Sequence, residues 1–195
     1  MPGQAAPHHD ERELLLAFIE QQRDGLRFAA YGLTDEQARL TPTAGTLSIG
    51  GLITHVAATE RGWIDLIPGA RPNPADVAAE SDYEAGFQLA ADRTLADALA
   101  ELDAVAAATA EVVRRTPLDA DVPVPKGVPW YPDDIDAWSV RWVLLHLVEE
   151  IGRHAGHADI VRESIDGATM FALMAAAEGW PATEWLQPWS APGPV

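Results

Sequence analysis

The sequence predicts an all-α protein: a four-helix bundle with long crossover connections and a short C-terminal helix. Three observations predict it. Long stretches carry apolar residues at helical spacing, most of them open on a side chain suited to capping a helix, and Pro and Gly gather between the stretches. At 195 residues and 48% hydrophobic content the chain can bury a full core. We read one domain over 1–195, with its core at about 10–178 and a tail at either end.

The elements follow in order. Asp10 caps a first helix expected near 11–31, whose apolar positions Leu14, Leu15, Phe18, Ile19, Leu26 and Phe28 recur at helical spacing. Gly25 is a weak point and Gly32 ends the helix. LTDEQARLTPTAG reads as a short helical turn followed by a loop. A second helix near 47–67 is capped by Thr46 or Ser48 and stopped by Pro68-Gly69; Leu52, Val56, Thr59 and Trp63 mark its inner stripe, with His55 beside it. Ala70 to Asp92 is loop-like. Thr94 caps an alanine-rich third helix near 94–116, which stops before Pro117. The next connection, PLDADVPVPKGVPWYPDDIDA, has the Pro and aromatic content of an ordered irregular loop over a cleft. The fourth helix spans about 139–166 and ends at Gly167. A short helix from about Thr169 to Glu178 precedes a tail rich in Trp and Pro.

Bulk properties narrow the function. The formal charge is −17, from 30 acidic and 13 basic residues, so the surface repels phosphate backbones and anionic lipid. Nucleic-acid and membrane partners are therefore not expected. No run approaches the roughly 18 apolar residues of a membrane span, and MPGQAAPHHDERE lacks a secretory pattern. A cytoplasmic location is the expectation. The chain has no cysteine, so any thiol chemistry must use a thiol from outside.

The residues that stand out lie in RWVLLHLVEEIGRHAGHADIVRE, Arg141 to Glu163. As a helix, this places Val143, Leu147, Glu150, His154, Ala158 and Val161 on one stripe. Glu150 and His154 thus fall where a bundle helix presents hydrocarbon. An unpaired buried carboxylate costs on the order of several kcal/mol, and a divalent ion would remove that cost. The i,i+4 spacing suits two ligands of one ion and equally an exposed Glu–His pair. Glu149 and Arg153 lie ~100° further round and read as a surface salt bridge. His146 and His157 flank Glu150 at ~40° and ~20° but are ~16 Å apart along the axis, so one ion cannot take both. His157 suits a hydrogen bond behind a ligand or a substrate contact; His146 suits a packed or loop-facing role. A catalytic ion needs a third protein ligand and an open position. His55, alone in the second helix, can be that ligand or a partly buried histidine satisfied by an acid. Trp63, Trp130, Trp138 and Trp142 are pocket-lining or core residues.

These segments carry a family resemblance. LSIGGLITHVAATERGW resembles the LxxLxxHxxxxExxW region of the DinB-like proteins, and RWVLLHLVEEIGRHAGHADIVRESIDG looks like the segment that closes the family's metal site. The resemblance covers about Leu14 to Met174. Where many members read HxxxHxGQ, this chain has Glu150, His154 and His157. A glutamate in the first position resembles the branch containing the N-terminal domain of mycothiol-dependent maleylpyruvate isomerase, whose bundle binds zinc through His, Glu and His. The resemblance implies His55, Glu150 and His154 as metal ligands, Zn²⁺ or another divalent ion such as Ni²⁺ as the metal, mycothiol as the thiol co-substrate, and a homodimer.

An N/O site with an open position would let the ion bind a thiol as thiolate near neutral pH. The expected activity is therefore metal-dependent thiol S-transfer to a small electrophile. His157, Trp130 and Tyr131 are the expected thiol-binding residues, with the long loops that carry Trp130 and Tyr131 expected to form a lid over the site. Two alternatives stand beside it: a metal-dependent hydrolase, whose ion activates water, and a non-catalytic bundle stabilised by its metal.

Overall fold

The computed structural model describes residues 3–67 and 86–191, so most of the Ala70–Asp92 connection lies outside the described residues. Among the described residues, six helices and one small sheet follow in order: α1 (Glu11–Ala30), α2 (Asp35–Ala38), α3 (Ile49–Leu66), α4 (Leu95–Arg115), β1 (Asp121–Pro123), β2 (Ala137–Ser139), α5 (Val140–Asp166) and α6 (Met170–Ala177). The all-α class and the four long helices agree with the sequence reading, and so do the caps. The side chains of Asp10, Ser48, Thr94 and Ser139 each accept an amide proton from the first turn they precede, while Gly167 closes α5 in the left-handed region. α2 has a full capping box between Thr34 and Gln37.

Side-chain pairs fix the helix directions. Glu13 meets Arg114 and Arg27 meets Asp103, so α1 and α4 run antiparallel. Glu11 meets Arg141 and Arg162 meets Ala29, so α1 and α5 run parallel. His55 faces His154 while Trp63 faces His146, which makes α3 antiparallel to α5. It follows that α3 and α4, packed side by side, are parallel. Parallel neighbours cannot be joined by a tight turn, and this is why the chain needs a long crossover between them.

The helix faces obey period, with one instructive departure. On α1 the buried stripe is Leu16, Ile19, Arg23, Leu26 and Ala30. Phe18, expected inside, is 43% exposed, and Leu14 and Leu15 are only partly covered. Counting apolar residues alone misses the stripe because Arg23 stands in its middle. Its guanidinium donates to both Glu60 carboxylate oxygens, Nε to Oε2 at 3.0 Å and Nη2 to Oε1 at 2.5 Å, and the Thr109 hydroxyl donates to Oε1. Three helices are tied at this point, and the pairing is what lets an arginine and a glutamate sit in the core. Gly25, the expected weak point, is a contact: a Cβ there would stand 3.0 Å from that of Ala155, so the glycine sets how closely α1 approaches α5.

Arg162, fully buried, joins α5 to the end of α1. Its Nη1 donates to the carbonyls of Ala29 and Tyr31, both at 2.7 Å, which satisfies acceptors left open where the helix stops. Asp166 balances the charge, and the Trp189 ring covers the guanidinium at 4.9 Å. The connection before α5 is less irregular than expected. Val122 pairs with Trp138 in a two-stranded antiparallel sheet, β1–β2, pinning the start of α5. A three-residue strand is too short to show alternation, so period could not reveal it.

Candidate metal centre

Helix geometry and a loop contact build the site together. Glu150 and His154 stand one turn apart on α5, and His154 Nε2 lies 3.1 Å from Glu150 Oε1. From α3, His55 Nε2 approaches the same oxygen to 3.5 Å. The three potential ligand atoms lie within 4.8 Å of one another, and this group could hold a metal ion. Both imidazoles are about 10% exposed and the carboxylate 21%. Glu150 therefore lies at the edge of the buried stripe, while Val143, Leu147, Ala158 and Val161 hold its centre.

Hydrogen bonds from His154 and then His55 hold the Glu150 carboxyl well below the usual carboxylate range, against the opposing effect of burial. The site thus offers an anionic oxygen and two imidazoles. That donor set fits Zn²⁺ and neighbouring divalent ions of borderline softness. Coordination through Nε2 leaves the His154 proton on Nδ1, which is buried and has no acceptor among the described residues.

Phe87 is a site residue that sequence reasoning passed over. Its ring stacks on His55 with centroids 3.7 Å apart and planes 15° from parallel. Gly50 and Gly51 make this possible. A Cβ on Gly51 would fall 1.9 Å from the Phe87 carbonyl oxygen, and one on Gly50 would meet Leu89 at 2.8 Å. The paired glycines near the start of a helix were the available signal. They allow residues 87–89 to lie directly on α3.

The remaining candidates lie along the same seam. The His157 ring is 5.6 Å from that of His154, and its buried Nδ1 has no partner among the described residues. His146 is packed between aromatics, 4.6 Å from the Trp63 ring and stacked on Trp142 at 5.3 Å. Trp142 continues the stack onto Trp138 at 4.9 Å. Tyr131 packs edge-on against Trp138 and tilted against Trp63, two helical turns beyond His55; Trp130 touches it but is 68% exposed. Burial pushes the Tyr131 hydroxyl pKa up. Glu149 and Arg153 form the expected surface pair at 2.9 Å.

Comparison with known proteins settles the family. A family model described as mycothiol-S-transferase matches residues 14–167. The chain belongs to the mycothiol-S-transferase family. The DinB-like resemblance is thereby confirmed, and in this mycothiol-S-transferase family member the matched span holds His55, Glu150 and His154. A search of curated proteins found no match. A conserved protein from Enterococcus faecalis of solved structure shares the fold at TM-score 0.64 and 14% identity, covering 83% of this chain and 100% of that one. No described helix is long and apolar enough to cross a membrane.

Proposed function

We propose that this family member is a divalent-metal-dependent thiol S-transferase, with His55, Glu150 and His154 as the metal ligands. One observation carries the reading: two imidazoles from α3 and α5 converge on one anionic carboxylate, in a cysteine-free chain of the mycothiol-S-transferase family. An ion held there, zinc in the first instance, would supply a Lewis acid that favours the thiolate form of an incoming thiol such as mycothiol.

The chain's own residues do the rest. The two imidazoles are neutral donors fixed by packing, His55 by the Phe87 ring and His154 by its place on the buried face of α5. Glu150 contributes one negative charge, which moderates how strongly the thiol is acidified. The thiol gives its proton to solvent and its sulfur forms a bond to an electrophilic carbon. That carbon then either loses a leaving group with its electron pair or, where it is one end of a double bond, passes the π electron pair to the other end, which takes up a proton from solvent. In this reading His157 contacts the thiol, and Trp130 and Tyr131 border the approach of the electrophile. A homodimer through the exposed side of alanine-rich α4 belongs to the same reading, and light scattering at micromolar concentration checks it.

The test follows conjugation of a model electrophile with mycothiol against pH for the native, metal-stripped and Glu150→Gln proteins. Stripping is expected to abolish the thiol-dependent rate. Glu150→Gln is expected to move the pH profile to lower pH, because the site becomes more positive and favours the thiolate sooner. Metal content near one ion per chain, lost in His154→Ala, supports the ligand set. A rate that needs metal but no thiol identifies a hydrolase. No rate, with earlier melting in chelator, identifies a structural metal.

A further inference from the structure

Thr59 stands one turn after His55 on α3, on the face that looks at α5. A helix threonine ordinarily returns its hydroxyl to the carbonyl four residues back, as Thr54 does to Gly50 at 2.9 Å. Thr59 departs from that habit. Its Oγ1 lies 3.3 Å from His55 Nε2, the nitrogen that also approaches Glu150 Oε1 to 3.5 Å. The residue is half-buried, and its hydroxyl stands beside one of the three candidate ligand atoms.

This contact cannot survive metal binding. The contact uses either the proton or the lone pair of Nε2, as the tautomer decides, and an ion bound at Nε2 takes that position from either. Once it is taken, the Thr59 hydroxyl loses this partner inside a partly closed site. A half-buried hydroxyl left without a partner is unfavourable, so it turns to the next lone pair within reach. The His55 carbonyl one turn back is one such acceptor, and a sulfur atom bound beside Nε2 is another.

We propose that Thr59 is a substrate-contacting residue whose hydroxyl donates a hydrogen bond to the sulfur of the incoming thiol. The assignment rests on the thiol-transferase reading and adds to it the group that recognises the sulfur. A donor aimed at sulfur favours the thiolate over the thiol and over a neutral oxygen ligand.

The experiment uses the full chain loaded with cobalt(II), whose charge-transfer absorption reports bound sulfur, and N-acetylcysteine as the thiol. Native, Thr59→Val and Thr59→Ser proteins are compared, and cobalt affinity is measured separately by competition with a chromophoric chelator. The expected result is thiol affinity about tenfold weaker in Thr59→Val and restored in Thr59→Ser. Cobalt affinity in Thr59→Val is expected to be equal to or tighter than native, since His55 no longer surrenders a hydrogen bond. Native-like thiol affinity in Thr59→Val overturns the role of Thr59 and leaves the thiol-transferase reading standing. Weaker cobalt binding in Thr59→Val with unchanged thiol affinity also overturns it, because the hydroxyl then serves only His55. A native protein that binds cobalt but shows no sulfur band overturns the thiol reading itself.

Discussion

Arg23 on α1 and Glu60 on α3 meet as a two-pronged ion pair inside the bundle, both side chains almost wholly shielded from water. Glu60 follows His55 by little more than a turn on the same helix, so the pair sets the rotation of α3 against α1 and α4. The sequence motif contains this glutamate, but its role as an anchor is visible only in the fold.

Removing one partner leaves a buried charge behind. Glu60→Ala is expected to cost about 3 kcal/mol, because Arg23 keeps only the part-exposed Glu20 carboxylate and the Thr109 hydroxyl loses its acceptor. The double change Arg23→Met with Glu60→Met removes both charges and is expected to recover most of that loss. Urea denaturation of the three proteins checks it; a double variant no better than Glu60→Ala would show that shape, rather than charge, governs the position.

Two glycines of α3 make opposite predictions. Gly51→Ala drives a methyl into the Phe87 backbone and is expected to destabilise by about 1–3 kcal/mol while loosening the ring stacked on His55. A Cβ on Gly62 would meet nothing within 4 Å. There Ala is expected to stabilise by about 0.5–1 kcal/mol through helix propensity alone. Thermal melts of both variants, with fluorine-labelled Phe reporting position 87 by NMR, separate packing from propensity.

Asp159 carries a pH signature. Burial, with the nearby charge of Glu163, pushes its carboxyl up from 3.8 to about 6, and its buried Oδ1 has no hydrogen-bond partner among the described residues. The unfolded chain releases this proton near pH 4 and the folded chain only near pH 6. Stability therefore declines as pH rises through that window and stays lowered above it. Asp159→Asn is expected to gain about 1 kcal/mol at pH 7.5, a figure discounted because the carboxyl is only half-buried. No gain is expected at pH 4, where the native group is already neutral. Denaturation curves at the two pH values provide the check.

The helices and half of the site are legible in the order of residues alone. Caps and period are local properties: Asp10, Ser48, Thr94, Ser139 and Gly167 act on the turn beside them, so reading them along the chain yields the elements. The closeness of Glu150 and His154 is equally local, because a helix brings i and i+4 together whatever surrounds it. Three features wait for the packed molecule: how near His55 comes to that pair, that Phe87 lies on its ring, and that Arg23 belongs to the core opposite Glu60. Those contacts join residues tens of positions apart, where no period links one side chain to the other. Their geometry depends on the crossing of α3 and α5, on the room left by Gly50 and Gly51, and on a charge whose burial is tolerable only once its partner has arrived.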